Sequence, residues 1–172
     1  MKLQDLDLYT EIISKIVTIL GIAIGGFWAY WIFFLKRTGV WNLQMNISTE
    51  SIRYKRNLIL LLIKVSLKNV GNVKISPGPS GCTLSVRKIP GNLPLGTIVD
   101  FESCQSLIEQ VDILRRYKEN DNYDLYEIEP NCEYHELETI VISKGQSLFI
   151  EVKFFSQDDS DAITEYCIIN II

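Results

Sequence analysis

The sequence predicts a mainly β protein: one N-terminal transmembrane α-helix followed by a β-sandwich with one short helix. Two observations carry this expectation. Ile16 to Leu35 is an unbroken run of twenty residues without a charge. After it come short segments in which apolar and polar residues alternate, separated by Pro, Gly and Asn turn signals. That is the pattern of half-buried strands in stacked antiparallel sheets. The expected organisation is a short tail at 1–11, a membrane helix with a basic flank at 12–37, and a β domain at 38–172.

An α-helix rises about 1.5 Å per residue, so the run spans roughly 30 Å, the thickness of a bilayer's hydrocarbon core. The competing reading is a buried helix, but a chain of this size rarely buries a helix that is apolar on every face. The preceding tail, MKLQDLDLYTEIISK, sets Asp5, Asp7 and Glu11 against Lys2 and Lys15. A cleavable signal wants a basic start, a shorter apolar stretch and a small-residue cleavage site. Lys36 and Arg37 follow the run directly, and Arg53, Lys55 and Arg56 come soon after. Basic residues favour the cytoplasmic side. The expectation is therefore a single-pass protein of the inner (plasma) membrane, N-terminus out, β domain in the cytoplasm. Trp28, Tyr30, Trp31, Lys36, Arg37 and Trp41 are the expected interface residues, because aromatic rings settle at headgroup level.

Within the run, Thr18, Gly21, Gly25 and Ala29 fall on one stripe. Small residues at this spacing let two membrane helices approach closely, so the helix is expected to pack against copies of itself in a homo-oligomer.

The remaining 135 residues suffice for one domain with a real core. Net charge is −4, unevenly spread. Lys36 to Lys88 holds ten Lys or Arg and one acid, Glu50, whereas Ile89 onward holds five Lys or Arg and seventeen acids. Three readings stand. The two halves interleave and neutralise one another; or the basic half, with Arg53, Lys55 and Arg56, meets anionic lipid headgroups; or it forms a pocket for an anionic ligand such as a nucleotide messenger. The four cysteines, Cys82, Cys104, Cys132 and Cys167, are expected as free thiols in a cytoplasmic domain. Cys82 and Cys167 fall in strand-like segments and read as small core residues. "CEYH" brings Cys132 near His135, the only histidine, which is too few ligands for a zinc site. Asn46 begins an N-x-S sequon, without meaning in a cytoplasmic domain.

The β elements follow in order. In "VWNLQMNIS", Trp41, Leu43, Met45 and Ile47 alternate with polar neighbours. In "NLILLLIKVSLKNV", Ile59, Leu61, Ile63, Val65 and Leu67 share one face, and the first half is apolar on both faces. That end needs cover on both sides, by protein or by the membrane surface. "NVGNV" is a turn, "VKIS" a short strand, "PGPSG" a loop, "CTLSVRKI" a strand, "PGNLPLG" a loop and "TIVDF" a further strand. "SLIEQVDILRRYK" reads as the one amphipathic helix, with Leu107, Val111 and Leu114 a turn apart and Ser106 as cap. "ENDNYD" breaks it. "LYEIE", "ETIVIS", "SLFIEVKFF" and "ITEYCIINII" read as strands, with turns at "KGQ" and "QDDSDA".

"LLIKVSLKNVGNVKI", a Pro/Gly loop and "CTLSV" resemble the early strands of immunoglobulin-like sandwich domains in bacterial proteins. "ETIVISKGQSLFIEVKFF" looks like their later hairpin. The Cys-Trp-Cys core of antibody domains is absent. The resemblance implies a fold and binding by surface or edge, with no catalytic residue carried over.

The chain has no phosphate-binding Gly-rich loop, no G-x-S-x-G elbow and no H-E-x-x-H. Glu127, Glu129, Glu133, Glu136 and Glu138 read as a solvated face. The expectation is a non-enzymatic, membrane-anchored interaction module in a bacterium, docking a partner protein on an exposed sheet edge. No metal, cofactor or nucleic-acid polymer is expected. Two alternatives accompany it. Small bacterial proteins with a span and a compact β domain resemble the membrane effectors of antiphage defence, which a nucleotide messenger assembles to disrupt the membrane. The other alternative is an extracytoplasmic envelope receptor domain with two disulfides.

Overall fold

A computed structural model describes residues 3–35, 41–119, 123, 126–157 and 162–171. The chain forms two compact units, 1–40 and 41–172.

In the first unit, α1 (Leu3–Tyr30) runs into a π-helical turn at Trp31–Leu35. The helix begins at Leu3, so most of the expected 1–11 tail is helical. Lys15 and Glu11 pair one turn apart at 2.6 Å. The Thr18 hydroxyl donates to the Ser14 carbonyl at 2.8 Å, closing its polarity on its own helix. The stretch Glu11–Phe33 is long and apolar enough to cross a membrane, and none of it is buried by the described protein.

The second unit holds seven strands: β1 (Leu43–Lys55), β2 (Leu58–Asn69), β3 (Pro77–Ile89), β4 (Gln105–Asp112), β5 (Glu133–Ser143), β6 (Ser147–Ser156) and β7 (Ala162–Asn170). They make two antiparallel sheets, ordered β1-β2-β5 and β4-β3-β6-β7. That division of strands between the sheets fits an immunoglobulin-like sandwich. The inner face of β2 is the one expected: Ile59, Leu61, Ile63, Val65 and Leu67 are all buried. Leu84 and Val86 from β3 and Leu148, Ile150, Val152 and Phe154 from β6 complete the core. Each such side chain contributes about 1.5–3 kcal/mol by leaving water. Cys82 is fully buried among them, as a small core residue should be.

Four local expectations are corrected. The amphipathic helix at 106–118 is instead strand β4 followed by a single 3₁₀ turn, Arg115–Tyr117. The reason lies in the ladder. Leu84 pairs with Val111 and Val86 with Ile108, so three residues of β4 span two of β3. The bulge turns apolar residues three apart onto one face and so imitates helical spacing. "TIVDF" is not a strand but belongs to an extended loop, 90–104. The "PGPSG" loop is the irregular start of β3, its register slipping between Pro77 and Cys82. The "later hairpin" is a crossover: β5 pairs with β2, whereas β6 pairs with β3 and β7. "VKIS" and "LYEIE" meet in one isolated bridge, Ile75 to Ile128, with both side chains in the core.

Candidate interaction surface

The helix presents its expected packing residues on an unobstructed face. At about 100° per residue, Thr18, Gly21, Gly25 and Ala29 lie within one narrow arc. A Cβ added at Gly21 or Gly25 would meet nothing within 4 Å. Trp28, Tyr30 and Trp31 are exposed near the C-terminal end of the helix, and the Trp31 ring lies 6.2 Å from that of Phe27. Lys36 and Arg37 lie outside the described residues. Trp41, expected at the membrane interface, is half-buried and packs against the core of the β domain.

The outward face of β1-β2-β5 carries a cluster of exposed apolar side chains. Period-two alternation and the register fix which residues share it. Ile52, Leu60 and Val141 form one transverse row. Leu58 and Tyr54 lie on the side of the β1–β2 turn, and Leu62 and Leu137 on the other side. Ile52, Tyr54, Leu137 and Val141 are 42%, 54%, 50% and 47% exposed, too much for packing and too clustered for chance apolar residues. The far half of the same face is polar: Asn46, Ser66 and His135 in one row, Gln44, Lys68 and Glu133 in the next.

Arg53, Lys55 and Arg56 gather where β1 turns into β2. Arg53 falls on the inward register but is exposed at the sheet's end, and the Lys55 ammonium lies 5.4 Å from the centre of the Tyr54 ring. Lys144 joins them, because its backbone N–H donates to the Asn57 carbonyl at 3.0 Å. None of these four makes a salt bridge among the described residues. Other basic side chains are neutralised: Lys74 by Glu127, Arg87 by Glu151, and Arg115 and Arg116 by Glu138 and Glu136. The two charge halves thus interleave in part and leave the β1–β2 turn cationic. Two open hollows lie on this face. One of about 360 Å³ is lined by Lys64 and Glu50 among others, the second of about 280 Å³ by Lys68 and Glu133. Each therefore sets one lysine against one carboxylate.

The carboxylate series 127–138 is a solvated face only in part: Glu129 and Glu133 are exposed, but Glu136 and Glu138 are drawn into pairs. Glu136 is 3% exposed, accepts from the Tyr126 hydroxyl at 3.1 Å and pairs with Arg116. Glu138 is held by both guanidinium arms of Arg115, at 2.6 and 3.1 Å. Pairing spares Glu136 the cost of burying a lone charge, and both pairs tie β5 to the 3₁₀ turn after β4. The Tyr126 ring lies between those of Tyr117 and Tyr134, tilted against each, with centroids 5.0 and 5.7 Å away, beside this pair. Sequence reasoning also missed Asp112. Its carboxylate accepts from the Leu114 N–H at 2.9 Å, the Cys82 N–H at 3.3 Å and the Tyr123 hydroxyl. The Arg115-Arg116 pair hinted at partners for nearby acids; nothing local marked Asp112. Exposed Glu133 accepts from Ser66, and that hydrogen bond, with His135, Lys68 and Lys64 nearby, holds its carboxyl below the usual range.

None of the four cysteines is bridged to another: Cys82 is buried, Cys104 and Cys167 are half-buried, and Cys132 is exposed. His135 sits 4.0 Å from Glu133.

No family model matches the sequence, and no curated protein matches it. Among solved structures, a Bordetella pertussis protein described as ApaA is similar over 76% of this chain and 94% of its own, at 6% identity and a TM-score of 0.46. A Bacillus subtilis protein described as a lipoprotein, YcdA, is similar over 78% of this chain, at 12% identity and a TM-score of 0.38. This chain covers 37% of that one. Both likenesses are too loose to carry an argument about this chain.

Proposed function

We propose that the protein is a non-enzymatic, membrane-anchored interaction module. The apolar helix holds it in a bilayer and self-associates along Thr18, Gly21, Gly25 and Ala29. The β domain, on the cytoplasmic side, takes up an extended segment of a partner protein along β5.

The observation that supports this reading is the character of β5. It is an edge strand, paired with β2 at eleven consecutive positions without a bulge. A long, regular, apolar edge is a ready template for an added strand. The other edges differ. β4 is bulged twice along β3, while β1 and β7 pack near one another. On β5 the Arg115 and Arg116 pairs occupy the first half. The stretch Thr139–Ser143, with Val141 exposed, offers the addition site.

The test is to crosslink proteins to the full chain in intact membranes and compare it with Val141→Lys. A lysine on the exposed side of an edge strand discourages pairing and leaves the core untouched. The expected result is loss of a defined crosslinked partner with membrane retention unchanged. An identical crosslinking pattern in both proteins, or release of the chain by an alkaline carbonate wash, would overturn the reading.

A further inference from the structure

We infer that the outward face of β1-β2-β5 docks flat on an anionic lipid bilayer, with Ile52, Tyr54, Leu60 and Val141 entering the headgroup region and Arg53, Lys55, Arg56 and Lys144 meeting lipid phosphates. This goes beyond the anchoring helix but rests on it, because the helix keeps the domain at a membrane.

Two features single out this occupant. The first is the charge. Five basic residues, Arg53, Lys55, Arg56, Lys64 and Lys144, border the apolar half of the face, against one acid, Glu50. Lys74, Arg87, Arg115 and Arg116, elsewhere in the domain, are paired with carboxylates. Apolar side chains with unpaired cations at their rim match an anionic bilayer surface, where aliphatic groups enter the acyl boundary and cations meet phosphate. The second is symmetry. A second copy packed face to face about a two-fold axis would set this surface against itself and bring like-charged rims together.

The test uses the full chain reconstituted in nanodiscs, with a photoreactive benzoylphenylalanine in place of Tyr54, Val141 or Tyr166. All three positions are exposed, and Tyr166 lies on the other sheet as a control. The expected result is a lipid adduct at positions 54 and 141 in discs containing phosphatidylglycerol. It falls in purely phosphatidylcholine discs, falls about fivefold for each basic residue removed in Lys55→Glu and Arg56→Glu, and is absent at position 166. Adducts to a second protein copy, adducts at 54 and 166 alike, or a yield indifferent to anionic lipid would overturn the inference. Failure of the chain to enter discs at all would overturn the anchoring reading beneath it, which separates the two failures.

Discussion

Gly81→Ala should destabilise the β domain far more than Gly145→Ala, although both glycines have left-handed backbone. Gly81 has φ of +63° and Gly145 of +72°. An alanine in that region costs about 1–2 kcal/mol at either site. The surroundings separate them. A Cβ at Gly145 meets nothing within 4 Å, whereas one at Gly81 would collide with the Tyr123 hydroxyl and come within 2.7 Å of the Asp112 carboxylate. Those two groups are bonded to each other, and the same carboxylate accepts from Leu114 and Cys82. Making room breaks at least one hydrogen bond to a charged group, about 1.5–3 kcal/mol. Gly81→Ala should therefore cost about 2.5–5 kcal/mol in all. The assay is urea unfolding of the detergent-held full chain, followed by peptide-resolved alkylation of Cys82, a thiol reached only on unfolding. Equal losses for the two substitutions, within about 0.5 kcal/mol, would refute the claim that Asp112 organises this corner.

Glu136→Ala should cost about 1–3 kcal/mol, because it strands the buried Tyr126 hydroxyl, whereas exposed Glu133→Ala should stay within about 0.5 kcal/mol; paired urea titrations check both. Burial pushes the Cys82 thiol well above its ordinary range, with Asp112 and Glu136 adding to the effect. The unfolded chain therefore loses that proton first, so stability is full below the ordinary thiol range and falls as pH rises through it, by about 1.4 kcal/mol per pH unit. Cys82→Ser should retain a slope shallower by that amount in unfolding free energy between neutral and alkaline pH. Phe101 stacks on Phe149 at 4.1 Å and 7° between planes, so Phe101→Ala should speed amide exchange across 90–104 and cost about 0.5–1.5 kcal/mol beyond lost burial. Gly21→Ile with Gly25→Ile should lower the oligomeric state in detergent; an unchanged mass would remove the helix-packing proposal.

The legible parts of the sequence were those where one periodicity acted alone. From Ile63 on, β2 alternates apolar and polar residues, and extending that period back through 58–62 gave its five inner residues directly. The helix was readable because its apolar run exceeds any strand. The misreadings share a physical origin: long-range pairing overrode local pattern. Two register slips along β3 gave β4 a spacing that mimics a helix turn. Glu136 and Glu138 looked solvated because their arginine partners arrive from the turn after β4, twenty or more positions earlier in sequence. The outward apolar face was half visible, since residues 58–63 are apolar on both sides, but the contributions of Ile52, Leu137 and Val141 depend on the register of three strands. The "ETIVIS–KGQ–SLFIEV" turn looked like a hairpin because a three-residue link with a left-handed glycine serves equally to cross between sheets.

The most direct test labels Cys132 in intact bacterial cells with a membrane-impermeant maleimide, before and after lysis, and reads only the carbonate-resistant membrane pellet. Cys132 is exposed, so its reactivity reports access, and buried Cys82 serves as the silent control. A membrane-anchored module with a cytoplasmic β domain predicts that the chain stays in the pellet and that Cys132 labels only after lysis, without reductant. Release of the chain into the supernatant, or labelling of Cys132 before lysis, would contradict it.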